Sequence, residues 1–243
     1  MITIIGTGHV FNLTQQILDI FDKEQPEIVC IELDKQRYDA LLLKQASPQE
    51  YKNHEKNVPI IYKLLSKFQE GMAKQYGVQA GSEMITAINY AQSHQLPVLF
   101  IDMNAQLMFS NMLKKMTIRE KLKLMLSGFG GFFISKKRVD EELKNFEQNF
   151  DTYIDEIGAK FPTIKKVLID ERNHYMASEL AKASEQYTKI IAVVGDGHIP
   201  GLSKLLTDKK IDFKTIRLSQ IKDKEAPDRD LSTGSFSIEY KEL

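Results

Sequence analysis

Neither sign of charge is in excess. The 33 Lys and Arg residues stand against 33 Asp and Glu, so the summed field draws in neither nucleic acid nor an anionic membrane surface. Nucleic acid is therefore not an expected partner. Cysteine is almost absent: the single thiol, Cys30, excludes a disulfide within the chain. It lies in the apolar run Ile28-Val29-Cys30-Ile31, which makes it a small buried hydrophobe rather than a nucleophile or ligand. A chain without disulfides fits a reducing compartment. Long hydrophobic runs are missing too. The most apolar stretch, Leu122 to Ile134, is broken by Gly128, Gly130 and Gly131 and falls short of the roughly 20 residues that a membrane-spanning helix needs. The opening Met1-Ile2-Thr3-Ile4-Ile5 has no basic segment, long apolar core or small-residue cleavage site of a secretory signal. A cytoplasmic address and no membrane span are expected. No periodic internal repeat is present.

What is present is a chain of 243 residues, 42% of them hydrophobic, enough for one sizeable core. Short apolar runs alternate with helical periodicity, which predicts an α/β domain over 1–243 with a central, mostly parallel sheet flanked by helices. The expected strands are Ile2–Ile5, Ile28–Ile31, Val98–Ile101, Ile190–Val194 and Phe213–Leu218. Pro26 and Pro97 stand just before two of them, where a proline costs no ladder hydrogen bond. Helical spacing joins Leu13, Ile17, Leu18 and Phe21, then Tyr38, Leu41 and Leu42, then Ile60, Leu64, Leu65 and Phe68. From about Asn104 to Lys166 the pattern is almost wholly helical, broken by glycines at Ser127 to Gly131, and predicts a helical insertion or lid. Its methionine stripe, Met103, Met108, Met112, Met116 and Met125, reads as core or pliable contact surface. The segment from about Lys222 to Leu243 has little pattern and reads as a loosely ordered tail.

In an open α/β sheet, ligands bind beyond the carboxyl ends of the strands, because helix N-termini and loop side chains converge there. The polar residues of interest fall at those ends: His9 after the first strand, Glu32 at the end of the second, Asp102 after the third, Asp196 and His198 after the fourth. Two turns are alike in build, Gly6-Thr7-Gly8-His9 and Gly195-Asp196-Gly197-His198. Their glycines permit positive φ and a tight strand exit, which would let each imidazole project over the sheet edge. Two imidazoles with a carboxylate such as Glu32 have the composition of a divalent-metal site with a bound water. The bland reading is that each histidine merely caps a turn. His54, His94 and His174 have no such context and read as surface or helix residues.

A dinucleotide site is the rival reading of Gly6-Thr7-Gly8, since an acid ending the second strand completes two parts of that fingerprint. The third glycine fails, because Phe11 stands where a helix must pack close to the strand. Three further clusters are open between function and plain structure. Glu32-Leu33-Asp34-x-x-Arg37 pairs a strand-end acid and a cap-like Asp34 with an arginine one turn into a helix. In Gly81-Ser82-Glu83-Met84, Glu83 sits near a helix N-terminus and favours its dipole. In Glu171-Arg172-Asn173, three consecutive polar residues on one helix cannot all face the same way, and Arg172 is placed to clamp a carboxylate, a substrate's or that of Glu32 or Glu83.

Taken in order, Gly-Thr-Gly-His-Val from Gly6, Glu-Leu-Asp-x-x-Arg from Glu32, Gly-Ser-Glu-Met from Gly81, Glu-Arg-Asn from Glu171 and Val-Val-Gly-Asp-Gly-His-Ile-Pro-Gly from Val193 resemble the TraB/PrgY/GumN family. That family groups with the Tiki proteins and, more distantly, with the erythromycin esterase and ChaN-like proteins. The likeness runs from Met1 to about Leu206 and implies an EreA/ChaN-like α/β sheet with its site at the strand ends. In the Tiki branch it implies a metal-dependent peptidase using manganese or cobalt, with His9, Glu32 and His198 as ligands. In the PrgY and TraB branch it implies shutdown of a peptide pheromone, by binding or by degradation. Two departures stand out: Asp102 is followed by Met103 where many members have Asp-Arg, and the membrane-spanning C-terminal region of many members has no counterpart here. Membrane association is then expected only for a longer form of the chain. The resulting expectation is a metal-dependent hydrolase of peptide or amide bonds in which His9, Glu32 and His198 hold the metal or its water and Arg37, Glu83 and Arg172 orient groups around them. The alternative is a peptide-binding protein using the same crevice without turnover. The expected partners are a peptide and, as an open case, a second copy of the chain.

Overall fold

The computed structural model describes residues 1–8, 13–46, 82–123, 156 and 158–222. His9, His54, Gly81, Met125, the helical face from Ile60 to Phe68, the glycine-rich break and the tail beyond 222 lie outside the described residues.

Five parallel strands form one sheet: β1 (Ile2–Thr7), β2 (Ile28–Ile31), β3 (Val98–Phe100), β4 (Ile190–Gly195) and β5 (Phe213–Ile216), in the order β3-β2-β4-β1-β5. All five expected strands are present. Side chains alternate between the two faces of a strand, and a parallel sheet is covered on both. On one face Ile4, Cys30, Ala192 and Val194 meet Met176, Ala177 and Leu180 of helix α6 (Arg172–Ser184) and Leu202 and Leu206 of α7 (Ile199–Asp208). On the other, Ile5, Val29, Ile31 and Val193 meet Leu13, Ile17 and Phe21 along α1 (Thr14–Glu24) and Met84, Ala87 and Ile88 of α3 (Ser82–Ser93). Each fully buried isoleucine contributes about 1.5–3 kcal/mol of transfer free energy. Cys30 is wholly buried in this core, and burial pushes its thiol up to about 12.

Strand order makes the site. The chain leaves β1, passes through α1 and enters β2 two strand positions away, and β4 later fills the gap. Its register sets Thr7 beside Gly195 and Ile31 beside Val193. The carboxyl ends of β2, β4 and β1 are therefore neighbours, although their residues lie far apart in sequence.

Four strand ends differ from expectation: β3 stops one residue early, at Phe100, β4 runs one residue further, to Gly195, and β1 and β5 differ for identifiable reasons. β1 continues through Gly6 and Thr7 instead of turning at Gly6. Glycine is needed there for room: a Cβ on Gly6 would lie 2.2 Å from Asp196 Oδ1 and 2.6 Å from Ile199 Cδ1. β5 stops at Ile216 because the next residues turn to meet Asp196, which accepts from the Leu218 amide at 2.8 Å and pairs with Arg217. Helix α8 (Leu218–Lys222) follows.

The described flanks of the 104–166 segment are helical. Asn104 caps α4 (Ala105–Lys115) by accepting from the Leu107 amide at 3.0 Å. Helix α5 (Pro162–Lys165) starts with a proline at its first position, where the missing N–H costs nothing. Met108, Met112 and Met116 are buried with Phe109 against Val167, Ile164 and Leu168, so these methionines are core. Glu120 ties the layers together. It accepts from the amide and hydroxyl of both Thr117 and Thr163. Burial opposes its charge, but the Thr163 and Thr117 amides and then their hydroxyls outweigh it and bring the carboxyl down to about 2.

Candidate functional site

Glu32 follows β2 directly and is 8% exposed. Its Oε2 accepts from the Gly195 amide at 2.6 Å, across 163 residues of sequence. Its Oε1 faces both the Arg172 guanidinium and, at 3.4 Å, His198 Nε2. Burial works against the ionised carboxylate, but His198, Arg172 and the Gly195 amide together hold it well below the ordinary carboxylate range. Gly195 has φ −60° and ψ 135°, ordinary extended backbone, so positive φ is not what selects glycine here. The Glu32 carboxylate sits over it, and a Cβ would lie 3.4 Å from Oε2.

The chain beyond Gly195 is a 3-10 turn, Asp196–His198, that runs straight into α7. His198 does not project over an open edge. It is 5% exposed, and its Nδ1 lies 2.7 Å from Asn173 Oδ1. Both ring nitrogens thus have protein partners.

The opposite wall comes from the helix running from Pro162 to Ser184. Between α5 and α6 it passes through a π-helical turn, Lys166–Glu171. Such turns add a residue to the local register and are frequent at functional sites. Directly after it, Arg172 makes two bonds of 2.9 Å, from Nε to Asp102 Oδ1 and from Nη2 to Asp102 Oδ2, a bidentate pair, while also reaching Glu32. Asp102 follows β3 and is 5% exposed. Asn173 turns to His198, whereas Glu171 turns out to Lys115 at 2.9 Å. The three polar residues separate as helical geometry demands: two inward, one outward. The two carboxylates and burial act on Arg172 in opposite senses, and the carboxylates prevail, raising its pKa further.

Asp34 caps α2 (Lys35–Ala46), accepting from the Gln36 and Arg37 amides at 3.0 and 3.1 Å. Its second oxygen accepts from the Ala105 amide at 3.4 Å, tying the start of α4 to the same edge. Arg37 is half-buried, and its Nη1 reaches Asp102 Oδ2 at 3.4 Å. Both readings of that segment hold: it is an N-cap, and its arginine joins the cluster. Glu83 is 1% exposed in the first turn of α3. Thr14 Oγ1 lies 3.5 Å from Thr86 Oγ1, which sets that turn at the carboxyl edge, but none of the bonds that join Glu32, Asp102, Arg172 and His198 passes through Glu83. His94 and His174 are exposed; the first bonds the Tyr90 carbonyl at 2.9 Å, and the second, next to Asn173 in α6, is turned to solvent.

Residues 1–214 match the TraB/PrgY/gumN family. The chain belongs to that family. It is 28% identical to an uncharacterized protein of Methanocaldococcus jannaschii over 98% of this chain and 62% of that protein. It is also 22% identical to the TraB domain-containing protein of Bos taurus, and 21% identical to that of Homo sapiens, over 83% of this chain and 61% of theirs. The chain therefore spans about three-fifths of the curated relatives it matches.

At this carboxyl edge, Glu32 and His198 suit a divalent cation in donor type. Two ligands each about 2.1 Å from a shared ion lie about 3.0–3.5 Å apart, the range in which His198 Nε2 and Glu32 Oε1 are found. The Nδ1 partner Asn173 is the kind of group that orients a ligating imidazole. Among the described residues no three of His, Cys, Asp and Glu cluster closely enough to complete such a site, and an ion would share Glu32 with Arg172. Nor is any helix among the described residues long and apolar enough to cross a membrane.

Asp102, Asn173 and Gly201 are the members of this cluster that residue-type reasoning did not assign a role. Asp102 was visible as a strand-end acid. Asn173 was visible only as one of three polar neighbours. The requirement at Gly201 has no sequence signature: a Cβ there would lie 2.1 Å from Asn173 Nδ2.

Proposed function

We propose that this chain is a hydrolase of peptide or amide bonds working at the carboxyl edge of its sheet. The observation that carries the reading is the convergence of Glu32, Asp102, Arg172 and His198, all nearly buried, from three strand ends and one helix. Buried charge costs several kcal/mol per ion unless paired, and a cluster of this kind at a ligand-binding edge is better explained by chemistry than by stability.

His198 would hold a divalent metal, manganese or cobalt, with His9 a second donor by motif and Glu32 either a further ligand or the general base. Such an ion supplies a water whose pKa is lowered toward 7. The protein's own residues do the rest. As general base, Glu32, kept ionised by Arg172 and the Gly195 amide, would accept the proton of the attacking water. The water oxygen bonds to the carbonyl carbon, the C–N bond breaks, and the amine leaves with the proton. Arg172, committed to Glu32 and Asp102, fixes both carboxylates. Arg37, with one long contact, has donors left to orient the substrate carbonyl or a carboxylate.

The test is cleavage of a peptide library with manganese or cobalt supplied. Cleavage is expected in the wild type and lost in folded His9→Ala and His198→Ala variants; unchanged turnover in both would sink the reading. A second reading, peptide capture without turnover, is favoured by one observation: both oxygens of Glu32 and both nitrogens of His198 already have protein partners. It predicts saturable peptide binding without product and without dependence on chelators.

A further inference from the structure

We infer that Asn173 is a positioning residue that fixes the tautomer of His198, and that Gly201 exists to let it do so. The Asn173 side chain is 4% exposed, and its Oδ1 lies 2.7 Å from His198 Nδ1. An amide oxygen only accepts, so Nδ1 must carry the proton. That leaves Nε2, the nitrogen 3.4 Å from Glu32 Oε1, as the one with the lone pair whenever the ring is neutral. The other end of the same amide packs on α7, where Gly201 leaves the space its Nδ2 occupies. A Cβ at 201 would lie 2.1 Å from Nδ2 and 2.9 Å from Cγ. Nδ2 ends a short side chain whose Cγ and Cβ are also close, the latter at 3.5 Å, so the whole amide would have to move. Asn173 is held from one side by its helix and from the other by α7, with the π-helical turn Lys166–Glu171 setting its rotation. The imidazole is thus oriented through backbone, before any ligand arrives.

The inference rests on the proposed hydrolase reading only for what the tautomer is used for. It is tested without metal, substrate or turnover, so an inactive protein leaves it standing, and a failed test leaves hydrolysis standing. The measurement is the long-range proton–nitrogen correlation pattern of histidine-labelled, metal-free full chain at mildly alkaline pH, with His198 assigned by its disappearance in His198→Gln. The wild-type ring is expected to carry its proton on Nδ1. Asn173→Leu, of similar size but without an acceptor, shifts the pattern toward the Nε2 proton, and Gly201→Ala does the same from a residue that never touches the ring. Asn173→Asp, which restores an acceptor, returns the proton to Nδ1. A wild-type ring protonated on Nε2 overturns the inference whatever the variants do, as does a wild-type pattern retained in both Asn173→Leu and Gly201→Ala.

Discussion

The two edges of one sheet carry charge in opposite ways. At the amino edge, Glu27 accepts from the Thr188 amide and hydroxyl at 2.7 and 2.9 Å, and Lys214 pairs with Glu24 at 2.5 Å. Glu27 is exposed, and the Lys214 side chain is 40% exposed. At the carboxyl edge, Glu32, Asp102 and Arg172 have side-chain exposures of 8%, 2% and 13%. The residue types are alike, and the surroundings differ. Water screens the first set, so its pairs are worth little. The second has lost that water, and each member depends on the others to stay charged. The comparison teaches that the ions buried at the carboxyl edge hold one another in place where a ligand would meet them, whereas the exposed pairs of the amino edge add little.

The largest effect should follow from removing the cation that two acids share. Arg172→Met leaves Glu32 and Asp102 buried without it, and breaking a buried pair of this kind costs about 3–5 kcal/mol. Urea denaturation checks this, and Glu32→Gln with Asp102→Asn in the same background should recover part of the loss.

An intermediate effect is one of pH. Glu120 has a folded pKa of about 2 against an ordinary 4.5, and Glu32 is likewise depressed. As pH falls, the unfolded chain takes up protons first. The stability Glu120 contributes is therefore complete above about 4.5 and drains away toward about 2, and that of Glu32 is lost in the same direction. Glu120→Gln should be less stable at neutral pH and show a flatter decline through that window, read from denaturation curves over a pH series. The smallest effect belongs to the amino edge, where Lys214→Ala should change stability by about 0–1 kcal/mol. A loss there as large as that of Arg172→Met would erase the contrast between the edges.

Much of the fold was legible in the sequence because apolar runs and prolines mark strands locally. Ile28–Ile31 was bounded correctly, and Cys30 was read as core. The strand-end rule located Glu32, Asp102 and His198 at one edge without saying how they touch. What escaped depended on rotation and clearance. Whether Arg172 or Glu171 faces the sheet is set by a helix whose register shifts through Lys166–Glu171, a shift that side-chain periodicity does not announce. The glycines at 6, 195 and 201 read as turn-makers or went unremarked, but the first and last make room for Asp196 and Asn173, and Gly195 lies under Glu32.

The most direct test of the contrast is turnover of a peptide cleaved by the manganese- or cobalt-supplied wild type, measured side by side in His198→Gln and Lys214→Ala. The account predicts that cleavage is abolished in the first, with the fold retained, and unchanged in the second. Full turnover by folded His198→Gln would contradict it.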